Sequence, residues 1–263
     1  LSRSRYGGTG VQASPDYYRG KGLNLPTKVL LTGLMGVLGI WGCDRNNADS
    51  LHETKTSIQI KGSDTMVNLV QVWAEVFMKH NPQKQVAVTG GGSGTGISSL
   101  ISNTCDICIS SRNIKEKEIT LAKQKGVNPF EIKVALDGLA VVVNPANPVS
   151  KLTIAQLADI FTGRISNWKD LGGKDAKIVI LSRETNSGTH VYFKEHILRN
   201  NDPNSKEEFA PNALMLSSSQ AIAEEVAGNS DAIGYYGMGY ISARQKAVFV
   251  AKDANSEYEA PSI

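Results

Sequence analysis

From residue 58 onward, short runs of β-branched and apolar residues alternate with stretches whose apolar positions recur at helical spacing. The runs at 58–61, 85–89, 106–110, 133–144, 177–181, 232–236 and 247–251 predict strands. Helices are predicted over 65–80, 96–103, 115–125, 153–161, 189–200 and 220–228. Strands separated by helices predict parallel sheets with helices on their faces, an α/β architecture. The apolar run 139–143 is followed by Asn144-Pro145-Ala146-Asn147-Pro148, a stretch suited to a crossing between lobes. The length fits two α/β lobes with a cleft between them better than one extended sheet.

The start of the chain has a different pattern. Residues 29–40 (VLLTGLMGVLGI) are apolar, preceded by Lys28 and followed by Trp41-Gly42-Cys43. A bilayer crossing needs about 20 such residues. A basic flank, a short apolar segment and a small residue before a cut site describe a secretory signal. A cysteine directly after the small residue resembles a bacterial lipoprotein signal, with Cys43 as the lipidated first mature residue. Ile40 and Gly42 fit that pattern, while Trp41 is bulky for its place. Residues 1–25 are long for the leading part of a signal and read as an upstream extension outside the fold. Residues 44–57 are polar, as a tether would be.

Charge sharpens this division. The 263-residue chain carries +3 overall, from 28 basic and 25 acidic side chains. Five of the basic residues (Arg3, Arg5, Arg19, Lys21, Lys28) and one acid (Asp16) precede residue 44, which leaves 23 basic against 24 acidic beyond it. That balance offers no basic surface for a nucleic-acid backbone. Three cysteines exclude a disulfide-framework mini-protein, and no Cys/His cluster suggests a structural metal.

The predicted strand-to-helix junctions share one chemical character. They are Gly62-Ser63-Asp64-Thr65, the glycine loop from Gly90 to Gly96, Arg183-Glu184-Thr185-Asn186-Ser187-Gly188-Thr189, and Ser217-Ser218-Ser219. Ser110-Ser111-Arg112-Asn113 is a further hydroxyl-bearing loop. Small or hydroxyl residues at helix starts are ordinary N-caps. Several together, with an arginine and free N–H groups at the positive ends of helix dipoles, suit an oxyanion. In open α/β sheets such loops gather at the carboxyl ends of strands.

Enzyme motifs fit less well. A phosphate loop needs lysine where Ile97 stands, a dinucleotide fingerprint needs glycine at Thr95, and a nucleophile elbow around Ser93 fails at Thr95 too. His190 is the histidine beside an informative loop, so a Ser–His pair with Ser187 or Ser93 stays open. Cys105-Asp106-Ile107-Cys108 has redox spacing, yet it enters a strand pattern that favours two packed thiols over a redox pair.

Read in order, KGSDTMVNLVQVWAEVF, VTGGGSGTGISSLI, DICISSRNIK, VALDGLAVVVNPANPV, LADIFTGRISNWKDLGG, LSRETNSGTHVYFKEHIL and AIGYYGMGY closely resemble the phosphate-binding proteins of Pst-type ABC transporters. The resemblance runs from about residue 58 to the end. It implies a periplasmic-binding-protein-like fold, two α/β lobes closing on a dehydrated phosphate, with no catalysis, cofactor or metal. It implies ligand contacts from Thr65, Met66, Ser93, Ser111, Arg183, Ser187, Gly188 and Thr189. Ser111 stands where other members place an aspartate that accepts the proton of HPO4²⁻, so Asp64 or Asp137 becomes the candidate acceptor, with Asp64 ranked first. Thr185 replaces an acid that restrains the arginine in some relatives, which leaves either Glu184 for that work or a looser arginine.

The resemblance also implies partners and place. These are inorganic phosphate, membrane permease subunits, and a lipid anchor at Cys43, on a monomer in the periplasm or at the cell surface. Alternatives are the same fold holding sulfate, molybdate or tungstate, an exported phosphatase-type hydrolase, or a sensory or adhesion lipoprotein. The expected layout is signal peptide 1–43, tether 44–57, first lobe 58–142, second lobe 143–233 and a return to the first over 234–263. Family members usually continue past the chain's last residues, so a truncated carboxyl-terminal part is expected.

Overall fold

The computed structural model describes residues 6–12 and 56–261. Its first lobe is a five-stranded sheet of β1 (Tyr6–Gln12), β2 (Thr56–Gly62), β3 (Lys84–Thr89), β4 (Ile107–Ser110) and β5 (Phe130–Asp137), in the order β3-β2-β4-β1-β5. Helices α1 (Asp64–His80), α2 (Ser93–Ile101) and α3 (Glu116–Gln124) connect or flank the strands. β2 runs parallel to β3 and β4, with Ile60 opposite Val88 and Lys61 opposite Cys108. Parallel neighbours require crossovers, and α1 and α2 supply them. Ile97, Leu100, Ile101, Cys105 and Cys108 form one apolar layer, while Ile60, Met66, Val70 and Ile109 form the other. The outer face of α1 stays open to solvent, with Val72 55% and Trp73 44% exposed.

One expectation for this lobe is corrected. Residues 6–12, expected outside the fold, form a strand that is antiparallel to both β4 and β5. It fills two hydrogen-bonding edges that β4 and β5 would otherwise present unpaired. Cys43 and residues 44–55 lie outside the described residues. Among the described residues no helix is long and apolar enough to cross a membrane.

The second lobe holds β6 (Leu139–Val143), β7 (Lys151–Thr153), α4 (Ile154–Phe161), β8 (Val179–Arg183) and α5 (Gly188–Phe193). It continues with β9 (Leu214–Leu216), α6 (Ser219–Gly228), β10 (Ala232–Gly237), β11 (Lys246–Ala247) and β12 (Phe249–Ala251). The main sheet has the order β11-β6-β10-β8-β9, and β12 pairs with β7 beside it. Val141, Val143, Leu157, Phe161, Phe193 and Tyr235 are buried in its larger core. Thr153 caps α4 in a reciprocal box, accepting from the Gln156 amide at 3.2 Å while Gln156 Oε1 accepts from the Thr153 amide at 2.9 Å.

Strand pairing moves both expected lobe boundaries. The single strand expected over 133–144 divides at Gly138, and β6 pairs with β10 in the second sheet rather than ending the first lobe. Residues 234–251, expected to return to the first lobe, stay in the second as β10, β11 and β12. The cause is burial: Leu139–Val143 is apolar throughout and almost wholly buried, which suits an interior strand. The two α/β lobes themselves are as expected, and the carboxyl ends of β2, β3, β4 and β8 turn their loops toward one cleft.

Candidate functional site

The first lobe brings Asp64, Thr65, Ser93 and Ser111 to the carboxyl ends of its parallel strands. Asp64 opens α1, where a negative charge suits the helix dipole, and its Oδ1 accepts from the Gly91 amide at 3.0 Å. Ser93 opens α2 and is fully buried. Its Oγ accepts from the Ser111 amide at 3.1 Å and lies 3.2 Å from Ser111 Oγ. These hydroxyls are therefore held by neighbouring backbone and not by solvent.

The second lobe contributes Arg183 at the end of β8 and the Ser187-Gly188-Thr189 turn into α5. Arg183 is 1% exposed. Its Nε donates to Leu216 O at 3.3 Å, Nη1 to Ser219 Oγ at 3.1 Å, and Nη2 to Ser217 O at 2.8 Å and Asp64 Oδ2 at 2.6 Å. The acid that holds the arginine is thus Asp64 from the opposite lobe, and not Glu184. Ser187 caps α5, its Oγ accepting from the His190 amide at 3.4 Å.

Across the cleft, Thr65 Oγ1 and Thr189 Oγ1 pair at 2.8 Å. At Gly188 the lobes also come close, because a Cβ there would lie 2.5 Å from Ser111 Oγ and 2.6 Å from Ser93 Oγ. Only a glycine lets the backbone at the start of α5 reach those hydroxyls. A cavity of about 290 Å³ opens beside the cluster, with Thr65, Met66, Ser111, Asp137 and Thr189 in its wall. Burial pushes the Asp137 carboxyl above its ordinary value, opposed by the Gly138 and Met238 amides it accepts from.

Hydroxyls that either donate or accept, first-turn amides of two helices and one buried guanidinium are the donors an oxyanion needs. The guanidinium is already paired with a carboxylate, so the cluster draws an anion chiefly through neutral dipoles. Among the described residues no three His, Cys, Asp or Glu side chains group as a metal would require.

Several expected residues take other parts. The Met66 amide turns back to Ser63 O at 3.2 Å, and the side chain is a core residue that also lines the cavity. Ser217 and Ser219 hold Arg183, while Ser218 caps α6 by accepting from the Ala221 amide at 3.1 Å. The His190 ring packs inside the second lobe, with Nδ1 3.3 Å from Ser182 Oγ and the ring tilted against Phe209. Burial lowers its pKa to about 4, and its ring pairs with neither Ser187 nor Ser93. Cys105 and Cys108 are buried free thiols, pushed by burial up to about 11 and about 12, which is a packing role.

Two contributors were not foreseen. Tyr240 donates its hydroxyl to Asp64 O at 2.5 Å, and Asn186 bridges to the glycine loop of the other lobe. No spacing rule links Tyr240 to a residue 176 positions away, whereas Asn186 lay inside a loop already singled out.

Comparison with known proteins gives the family. A family model described as a PBP superfamily domain matches residues 49–260. A phosphate ABC transporter substrate-binding protein from Clostridium perfringens, solved with bound phosphate, is 36% identical, with a TM-score of 0.66 over 74% of this chain and 76% of that one. The chain belongs to the Pst-type phosphate-binding family of the PBP superfamily. An ABC-type phosphate transport receptor from Vibrio cholerae is also 36% identical, with a TM-score of 0.55 over the same shares of the two chains. The phosphate-binding protein PstS of Bacillus subtilis is 35% identical over 75% of this family member. The chain spans 63% of the length of that PstS relative.

Proposed function

We propose that the protein binds inorganic phosphate outside the cytoplasm and delivers it to the permease subunits of an ABC importer. The observation that carries this reading is the meeting of Thr65, Ser93 and Ser111 from one lobe with Gly188 and Thr189 from the other, around a buried arginine. The relatives named above as phosphate receptors support the choice of ligand. Binding replaces the anion's water shell by hydroxyl and amide hydrogen bonds, each stronger to a charged partner than to a neutral one. Closing the lobes around the ligand favours the closed form by the difference in its affinity for the two forms. That closed form is what a permease would recognise.

Asp137 takes the part of proton acceptor in this reading. Asp64 is occupied by Arg183 and the Gly91 amide, whereas Asp137 lines the cavity with the hydroxyls. A carboxylate there accepts the proton of HPO4²⁻, and sulfate has no proton to offer. Arg183 acts as a framing charge, with Ser187 shaping the turn that presents Gly188 and Thr189. The chain works as a monomer tethered to the membrane by lipid on Cys43, without cofactor or catalytic step.

Calorimetric titration of the full chain with phosphate tests the site. Thr65→Val and Thr189→Val should each weaken binding by about tenfold or more, since a hydrogen bond to a charged group contributes about 1.5–3 kcal/mol. Unchanged affinity in both variants would place the ligand elsewhere.

A further inference from the structure

We propose that Asn186 is a closure latch, a positioning residue that holds the lobes shut from the rim of the cleft without touching the ligand. Three hydrogen bonds join it to the glycine loop of the first lobe. The Gly94 amide donates to Asn186 O at 2.8 Å. Asn186 Nδ2 donates to Gly91 O at 3.0 Å and to Thr95 Oγ1 at 3.2 Å. All three partners belong to the opposite lobe, so the bonds exist only when the lobes meet.

The glycines of the loop answer to the same contact. A Cβ on Gly92 would lie 2.9 Å from Asn186 O, and one on Gly94 would lie 3.1 Å from it. Gly92 also sits at φ 90°, where a side chain is strained. The glycine richness of this loop therefore serves the approach of Asn186 as well as the start of α2. Asn186 is half-buried, while Thr95 and Gly91 are exposed, which places the latch at the edge of the cleft.

An interaction made only in the closed form shifts the open–closed balance by its own free energy. Opening must break the latch before a ligand can leave, whereas an open protein meets its ligand with the latch already apart. The latch therefore acts on release. This inference rests on the phosphate reading for its kinetic readout, and on nothing but the lobe contact for its second readout.

The test compares wild type with Asn186→Ala and Asn186→Asp in the full chain. Asn186→Asp keeps the size and loses the Nδ2 donor. Stopped-flow measurement should show phosphate release faster by about tenfold in Asn186→Ala, as expected for two lost side-chain hydrogen bonds, and by about threefold in Asn186→Asp, where the Thr95 hydroxyl can donate to the carboxylate but the bond to Gly91 O is gone. Hydrogen exchange without added phosphate should show the Gly94 amide exchanging about tenfold faster, with the β2–β3 ladder amides unchanged. Unaltered Gly94 exchange in both variants, or Asn186→Asp behaving as wild type, would overturn the latch. If wild type takes up no phosphate, the ligand assignment fails, and the exchange comparison still decides the latch.

Discussion

Arg183 Nη2 lies 2.6 Å from Asp64 Oδ2, so the buried arginine of the second lobe is neutralised by a carboxylate of the first. Their side chains are 1% and 11% exposed. A buried pair is weak grounds for stability in itself, because desolvation offsets the attraction. Removing one member is another matter, since the remaining charge keeps its burial and loses its partner.

Asp64→Asn is therefore expected to destabilise the protein by about 3–5 kcal/mol in urea unfolding. The double variant Asp64→Asn, Arg183→Met should recover a large part of that loss. Equal destabilisation in the single and the double variant would contradict the pairing as the cause.

Gly188→Ala inserts a methyl group among the hydroxyls of Ser111 and Ser93. Overpacking of this kind costs about 1–3 kcal/mol, and the backbone of α5 must retreat from the opposite lobe. Phosphate affinity should fall by about 100-fold, about 2.7 kcal/mol, while the thermal midpoint falls by only several degrees. Calorimetry and a melting curve on the same sample check both halves.

His190 makes stability depend on pH. It is neutral in the fold because burial lowers its pKa to about 4 from an ordinary 6.5. A depressed histidine binds its proton more readily in the unfolded chain. Its contribution is present above pH 6.5 and is lost as the pH falls toward about 4, by up to roughly 3 kcal/mol. Asp137, pushed upward by burial, works in the opposite direction over its own range. Urea midpoints from pH 7 to 4 should therefore fall less steeply in His190→Gln than in wild type, and parallel curves would refute the assignment.

Much of this was legible along the chain, because the local signals and the fold agree. The run before Gly62 and the helix after it are where periodicity puts them, and the Arg183, Ser187, Gly188 and Thr189 cluster is found at the cleft. Asp137, ranked behind Asp64 from the sequence, lies in the cavity wall. Sequence adjacency put Asp64 beside Thr65, but the side chain is captured across the cleft by Arg183, a contact 119 positions apart. The break at Gly138 was hidden because apolar character continues on both sides of it, while the change of sheet is decided by pairing with β10. The helix expected over 189–200 becomes α5 and then a π-helical turn, Lys194–Leu198, that buries Ile197 and Leu198. Local periodicity does not distinguish those two windings.

Asp137→Asn should relax selectivity more than it lowers affinity. An amide can donate a hydrogen bond where the carboxylate only accepts, so sulfate no longer meets a repelling charge. Sulfate competition against phosphate should strengthen by about tenfold or more in the variant. In wild type the same change should begin as the pH falls and Asp137 gains its proton. No gain in sulfate binding under either condition would return the acceptor role to Asp64.

Competition titration of the full chain with phosphate, sulfate and molybdate at pH 7.5 is the most direct measurement. Phosphate should bind at one site per chain and displace either rival, with sulfate weaker by at least about 100-fold. Tight binding of sulfate or molybdate with phosphate displaced would keep the fold and the cleft but contradict the phosphate receptor.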